Sequence, residues 1–361
     1  MKITFLVPSI DMSGGTKVIF EYANHLQQRG HDVIVVYPLV PPMLGLKLSD
    51  PRALINTAIR IISNLVRAQR VNWFDLKARL LRVTTFAEKY MPDADVVVAT
   101  WWATVYYVSR YGKRKGEKFY LIQHYELWGG PKEQVENTYK LGLHNIVIST
   151  WLKNILEDKI KVPVEALVTN AIDFNQFHAD AREKGNKVIR VLMPYRSEKW
   201  KGIPDGVKAF EIAKEKYPQI QLVMFGPSTA RDLPGYVEYH RSPYGERLRR
   251  IYTSCDIFLF PSHAEGFGLP PMEAMACKCA VAATNVGGIP DYTIPGVTAL
   301  VSPPGCPDLL AENLIRLIED KELREKVASA GHDYVGKFTW DKATDKLDKL
   351  FMDALSRDKV S

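Results

Sequence analysis

A chain of 361 residues that is 46% hydrophobic and 25% charged, with 23 Gly and 22 Pro, has the balance of a folded globular protein and is neither disordered nor fibrous. Its net charge of +7 is unevenly spread: residues 1–185 hold 24 Lys and Arg against 18 Asp and Glu, whereas residues 186–361 hold 24 against 23. No basic motif interleaved with base-stacking aromatics accompanies the excess, so the charge argues for an anionic small substrate or membrane surface and against nucleic acid.

The opening run Ile3 to Val7 reads as a strand rather than a leader peptide, and no apolar stretch is long enough to span a bilayer. Pro8 to Gly15 is a loop, and Thr16 to Gln28 has helical periodicity through Val18, Ile19, Tyr22, Ala23 and Leu26. Val33 to Tyr37 is the next strand, which completes a βαβ unit. Ala53 to Val71 is predicted to form an amphipathic helix, with Leu54, Ile55, Ala58, Ile59, Ile62, Leu65 and Val66 on one face and Arg60, Asn64 and Arg67 on another. Between Arg52 and Arg82 lie seven basic residues and one acid, Asp75. Such a helix either covers a domain or lies in an anionic membrane interface.

Further buried-type strands follow at Val96 to Thr100, Phe119 to Gln123, Ile146 to Ser149 and Val164 to Val168. The polar stretch Asn175 to Lys187 breaks the periodicity, and the pattern then restarts. Its second round has strands at Val188 to Met193, Gln221 to Phe225, Ile257 to Phe260, Ala280 to Ala283 and Ala299 to Val301, with a helix over Gly206 to Lys216. Continuous apolar strands separated by helices predict two doubly wound parallel sheets, an α/β chain of two Rossmann-like domains. The expected domains are 1–175 and 176–339, facing a ligand cleft, with a last helix over about 340–361 packing back on the first. Cys255, Cys277, Cys279 and Cys306 form no zinc spacing and read as reduced thiols, most of them in the core.

In a parallel sheet, ligands meet the loops beyond the strands' carboxyl ends. Ser13-Gly14-Gly15-Thr16 stands there after the first strand, its amides and helix start suited to phosphate, although a tight turn needs the same residues. Arg196 and Lys201, in the loop after Met193, are spaced to grip one diphosphate, the first by a planar fork and the second as a point charge. The richest segment runs from Phe260 to Ala276. Glu265 lies on its glycine loop, free to bond a polyol, while Phe267, Gly268 and Leu269 expose amides to an anion. Pro270 and Pro271 prime a helix with Glu273 in its first turn. A second glycine turn, Gly287-Gly288, follows on the same rim.

Glu265 and Glu273, with seven residues between them in E-G-F-G-L-P-P-M-E, resemble the E-x7-E motif of glycosyltransferase family 4. The paired glycines after the first strand, the Arg196 and Lys201 pair, the phrase from Val168 to Asp173 and the late Gly-Gly-Ile-Pro extend the resemblance over nearly the whole chain. Ala171 stands where the family usually has Gly, and Asp291 where it more often has Glu. The resemblance implies the GT-B fold and metal-independent transfer of a sugar, with retained configuration, from a nucleotide-diphosphate sugar. It implies that Arg196 and Lys201 hold the diphosphate, Glu273 the ribose, Glu265 the transferred sugar, and Phe267 to Leu269 the phosphates by backbone donation. It also implies that Gly14 and Gly15 close over the phosphates and that His124, ending the strand Phe119 to Gln123, stands by the transferred sugar. Tyr244 is a further candidate, stacking on the base. The positive first half and the basic helical insertion suggest a polysaccharide or lipid-linked glycan intermediate as acceptor, met in the cytoplasm or at the inner membrane face through residues 52–82.

Two other functions fit part of this pattern. A glycoside hydrolase could use Glu265 and Glu273 as paired carboxylates, yet it has no use for two cations and two phosphate-type loops. A non-catalytic nucleotide-sugar sensor would keep the phosphate loops but has no need of Glu265 and His124. Asp93-Ala94-Asp95 has the D-x-D form of a metal-binding transferase motif, but it precedes a strand and so belongs at the amino end, away from the ligand rim.

Overall fold

The apolar runs assemble into two parallel sheets, each in its own unit. The computed structural model describes residues 1–42, 55, 58, 59, 61, 62, 71–179, 188–227, 229 and 233–357. Contacts divide the chain into Met1–Asn170 with Trp340–Ser361, and Ala171–Thr339.

In the first unit, the described strands are β1 (Lys2–Leu6), β2 (Asp32–Pro38), β3 (Arg79–Val83), β4 (Val96–Ala99), β5 (Glu117–Ile122), β6 (His144–Val147) and β7 (Ala166–Leu167). They lie side by side in the order β3-β2-β1-β4-β5-β6-β7, every pair parallel. Helices α1 (Gly14–Gln28), α2 (Trp102–Val108), α3 (Lys132–Thr138) and α4 (Thr150–Asn154) connect them. Strands covered on both faces need apolar residues at successive positions, which is why V-V-V-A of β4 and the middle of β2 are wholly buried. The C-terminal helix, Trp340–Arg357, belongs to this unit. Trp340 sets its ring edge-on to Tyr22 of α1 at 5.2 Å, Phe351 meets Phe119 at 4.7 Å, and Arg29 reaches Asp345 at 2.7 Å.

The second unit has β8 (Arg190–Pro194), β9 (Gln221–Gly226), β10 (Glu238–Arg241), β11 (Ile257–Phe260), β12 (Ala280–Thr284) and β13 (Leu300–Ser302) among its described residues. The order is β10-β9-β8-β11-β12-β13, again parallel. Helices α5 (Ile203–Lys216), α6 (Gly245–Thr253), α7 (Leu269–Ala276), α8 (Pro307–Glu319) and α9 (Lys321–Val335) cover it. Val191, Met193, Leu222, Met224, Leu259 and Ala282 meet Phe210, Leu314 and Leu317 from the helices in one core.

Two strands were not legible as strands. β3 has the sequence R-L-L-R-V and β10 has E-Y-H-R, and each is an edge strand. An edge needs no continuous apolar run, so its charges masked the signal. Of the basic stretch 52–82, residues 55, 58, 59, 61 and 62 are helical, and Ile55, Ile59 and Ile62 are 57–60% exposed. Arg52, Leu54, Arg60, Asn64, Leu65, Val66, Arg67 and Arg70 lie outside the described residues. Among the described residues, no helix is long and apolar enough to cross a membrane. Cys255, Cys277 and Cys279 are buried thiols, Cys306 is half-buried, and none of the four forms a disulfide among the described residues.

Candidate active site

A doubly wound sheet opens a crevice where the strand order reverses, because the connections on either side leave for opposite faces. In the second unit that point lies between β8 and β11. The loops that leave their carboxyl ends are 195–202, with Arg196 and Lys201, and 261–268, with Glu265. Topology therefore sets the cationic and acidic segments side by side on one rim.

Close backbone approach fixes these loops. Gly202 has φ of 62°, and a Cβ there would stand 2.1 Å from the Pro261 carbonyl oxygen. Gly287 has φ of 55°, and its Cβ would fall 1.7 Å from the Glu265 carbonyl oxygen. No side chain fits either gap, so glycine lets three loops touch through their main chains. The His263 amide donates to the Trp200 carbonyl at 2.7 Å, and the Ser262 hydroxyl reaches the same oxygen at 3.2 Å.

Glu265 departs from its expected freedom on the loop. Its side chain is 8% exposed, and Oε1 accepts from Lys201 Nζ at 2.8 Å and from Ser262 Oγ at 2.7 Å. Lys201 is itself only a quarter exposed, so the pair is shielded from water and couples more strongly than a surface ion pair. Glu273 also departs from expectation. The helix begins at Leu269, after Gly268 with φ of 85°, which puts Glu273 in the second turn rather than the first. There its buried carboxylate accepts from the Tyr252 hydroxyl at 2.9 Å. Burial, reinforced by that carboxylate, pushes the Tyr252 hydroxyl far above its ordinary pKa, so it remains a donor.

Phe267 is a core residue that packs its ring on Tyr292 at 5.2 Å; only its backbone serves the rim. The Tyr292 hydroxyl donates to the Gly268 carbonyl, holding the bend that starts α7. Tyr252 and Tyr292 escaped the sequence reading because a buried tyrosine looks like any core aromatic. Arg196 is half-buried just beyond β8, and its charge reaches Tyr239 of β10, whose hydroxyl burial raises and Arg241 and Arg196 lower. Tyr244 N-caps α6, 53% exposed, beyond β10 at the sheet edge, two strands from β8.

In the first unit, Gly14 and Gly15 are the first two residues of α1 rather than a loop before it. Ser13 is extended and caps the helix, its Oγ accepting from the Thr16 amide at 3.1 Å. The glycine amides are therefore unpaired helix-start donors by position. Gly15 faces Gln123, whose amide nitrogen would stand 3.4 Å from a Cβ at that glycine. His124 follows, half-buried, with Trp128 edge-on to its ring at 4.2 Å and Trp151 at 5.6 Å. Glu126 was missed by the sequence reading. It is buried, its Oε2 accepts from the Trp102 amide at 2.8 Å, and burial pushes its carboxyl up to about 8 despite that bond and the nearby Tyr120 hydroxyl. At the opposite end of this sheet, Asp93 pairs with Arg114 and Lys115, which hold its carboxyl below the usual range, and Asp95 accepts from the Lys2 amide. Both aspartates are thus engaged at the amino ends of the strands.

Residues 174–334, nearly all of the second unit but less than half of the chain, match the family described as Glycosyl transferases group 1. The chain is 28% identical over 225 residues to the capsular polysaccharide biosynthesis glycosyltransferase CapM of Staphylococcus aureus, a match covering 58% of each chain. It is 34% identical over 113 residues to the D-inositol 3-phosphate glycosyltransferase of Corynebacterium diphtheriae, covering 31% of this chain and 26% of that protein. The chain thus spans well under two thirds of these relatives' lengths. The fold is shared far more widely. Sucrose-phosphate synthase from Thermosynechococcus elongatus aligns over 99% of both chains with a TM-score of 0.77 at 18% identity. HepE of Anabaena, crystallised with UDP, aligns over 98% of this chain and 100% of that one, with a TM-score of 0.75 at 15% identity. These neighbours share the fold of two parallel-sheet, Rossmann-like units, the GT-B fold that the family resemblance implies.

Proposed function

We propose that this protein transfers a sugar, with retained configuration and without a metal ion, from a nucleotide-diphosphate sugar to a glycan or lipid-linked acceptor. The observation that supports this most is the shielded Lys201–Glu265 pair at the strand-order reversal of the second sheet, next to Arg196. Two cations beside glycine-pinned turns suit a diphosphate leaving group, whereas hydrolysis of a neutral glycoside needs neither.

In this reading the Arg196 fork and the Lys201 ammonium neutralise the diphosphate and the charge that grows on it as it departs. The amides of Phe267, Gly268 and Leu269, at the start of α7, and those of Gly14 and Gly15, at the start of α1, donate to phosphate oxygens. Glu273, held by Tyr252, accepts from the ribose. As Lys201 turns to phosphate it releases Glu265, which then accepts from a hydroxyl of the transferred sugar. His124 positions that sugar, and Tyr244 stacks on the base. No residue is assigned as a covalent nucleophile, so transfer proceeds on the face the nucleotide leaves.

The acceptor class follows the relatives: CapM is named for capsular polysaccharide synthesis, and another relative is an O-antigen chain mannosyltransferase. The exposed Ile55, Ile59 and Ile62 within a basic stretch fit an anionic lipid surface at the cytoplasmic face. Incubating the protein in excess EDTA with UDP-, GDP-, dTDP- and ADP-sugars, and in parallel with aryl glycosides, tests the reading. Release of a nucleoside diphosphate, with the product's anomeric configuration followed by NMR, is expected. Cleavage of the aryl glycosides alone, or nucleotide release only after manganese is added, contradicts it.

A further inference from the structure

The segment that carries Lys201 is short and bends sharply. Lys199–Lys201 form a single 3₁₀ turn, Gly202 follows with φ of 62°, and α5 starts at Ile203. Its Trp200 carbonyl accepts from the His263 amide and the Ser262 hydroxyl, so the backbone of the turn rests on the loop 261–268. The first turn of α5 lies against the same loop, where a Cβ at Gly206 would stand 2.7 Å from Pro261 Cγ. Across that contact His263 Nε2 is 2.6 Å from Oδ2 of Asp205, the third residue of α5. A carboxylate only accepts, so the ring donates from Nε2. Both side chains are partly exposed, and a pair of that kind adds little to global stability. Asp205 also suits the helix dipole from the first turn, but that role needs no partner and leaves the histidine on a different loop unexplained.

We propose that Asp205 and His263 are positioning residues for the diphosphate site, a clasp that keeps the Lys201 turn in place while the Lys201 ammonium leaves Glu265 for a phosphate. In the free protein the turn is tied to the loop 261–268 by two ion pairs, Lys201 with Glu265 and His263 with Asp205. The first must open if Lys201 is to meet phosphate, because its ammonium lies 2.8 Å from Glu265 Oε1. The second lies four residues beyond Lys201 and involves neither of those groups, so it persists through the exchange. A flexible four-carbon stem then swings from one anion to the other over a fixed backbone. With the clasp intact the turn already has its bound geometry. Without it, the fraction of molecules holding that geometry falls, and the apparent dissociation constant rises by the same factor. The choice of a nucleoside diphosphate as the ligand rests on the sugar-transfer reading above; the clasp itself does not.

Amide hydrogen exchange and calorimetric titration with UDP, GDP, dTDP and ADP, both on the full chain, test it together. The Lys201 and Gly202 amides donate to the Glu198 and Lys199 carbonyls at 2.9 and 3.2 Å and so report on the turn. His263→Ala should speed exchange at these two amides about tenfold and weaken the nucleotide that wild type binds by about three- to tenfold. His263→Gln, whose side-chain amide supplies a donor in place of Nε2, should restore most of both, which a general loss of fold does not allow. Lys208→Ala, which removes an exposed ion pair with Asp308 on the same helix, should change neither. Exchange at Lys201 and Gly202 as slow in His263→Ala as in wild type overturns the clasp. A nucleotide bound equally by wild type and His263→Ala removes the positioning role and leaves the transfer reading intact. Faster exchange in His263→Ala, with no nucleotide bound by wild type, removes the donor reading and leaves the clasp.

Discussion

Glu126 is a buried carboxyl with no cationic partner among the described residues, and burial raises its carboxyl from the ordinary 4.5 to about 8 in the folded chain, which makes stability depend on pH. Below the unfolded value, both states carry the proton and nothing is lost. As pH rises past it, the unfolded chain releases the proton while the folded chain keeps it, so stability falls by about 1.4 kcal/mol per pH unit. The fall ends near the folded value, above which both states are ionised. The accumulated loss is on the order of 3 kcal/mol by neutral pH and 5 kcal/mol on the alkaline plateau. Glu126→Gln preserves the acceptor for the Trp102 amide and replaces the acid proton with an amide donor, so it removes the titration while leaving the turn in place. Urea unfolding followed by tryptophan fluorescence, in steps from about pH 5 to about pH 9, should show E126Q gaining on wild type as pH rises and the gain levelling off near pH 8. A wild-type-minus-variant difference that stays constant over that range refutes the argument and means that Glu126 is ionised or hydrated in the folded chain.

Lys201→Ala should weaken nucleoside-diphosphate binding about 10- to 100-fold, the value of one charge-assisted contact, in a calorimetric titration. The same change strands the buried Glu265 on Ser262 alone and should cost about 1–3 kcal/mol of stability, an effect that Lys201→Ala with Glu265→Gln should largely remove. Gly287→Ala combines a left-handed backbone with a steric clash on the Glu265 carbonyl and should cost about 2–5 kcal/mol in urea unfolding; an unchanged midpoint would disprove the close packing of these loops. Binding to anionic vesicles, measured by sedimentation, should be salt-sensitive and should drop when Arg60, Arg67 and Arg70 are replaced by Gln together. Equal sedimentation of the two proteins would assign the basic stretch another role.

The parts of this fold that could be read in advance are those where one physical demand acts on consecutive residues. The interior strands β4 and β11 must be apolar at every position, so V-V-V-A and I-F-L-F announce them. The edge strands β3 and β10 face no such demand, and their Arg and Glu residues hid them. The site divides in the same way. Residue type and position after a buried strand singled out Arg196, Lys201, Glu265 and Glu273 as candidates, because glycines and charges there have few structural uses, and the structure brings Lys201 and Glu265 together. What stayed hidden depends on contacts between segments far apart in sequence: the closing of Lys201 on Glu265 across 64 positions, the Tyr252 hydroxyl on Glu273, and the burial of Glu126 under α2. Helix phase was also beyond reach. The start of α7 is fixed by a left-handed Gly268 and the Tyr292 hydroxyl, and without them Glu273 reads one turn too early.

Calorimetric titration of the metal-free protein with UDP, GDP, dTDP and ADP, repeated on Arg196→Ala, tests the donor site most directly. One nucleotide should bind wild type at a single site, and the variant should bind it at least about tenfold more weakly, as the loss of a guanidinium-phosphate contact requires. Four flat titrations, or an Arg196→Ala variant that binds as tightly as wild type, would contradict the account.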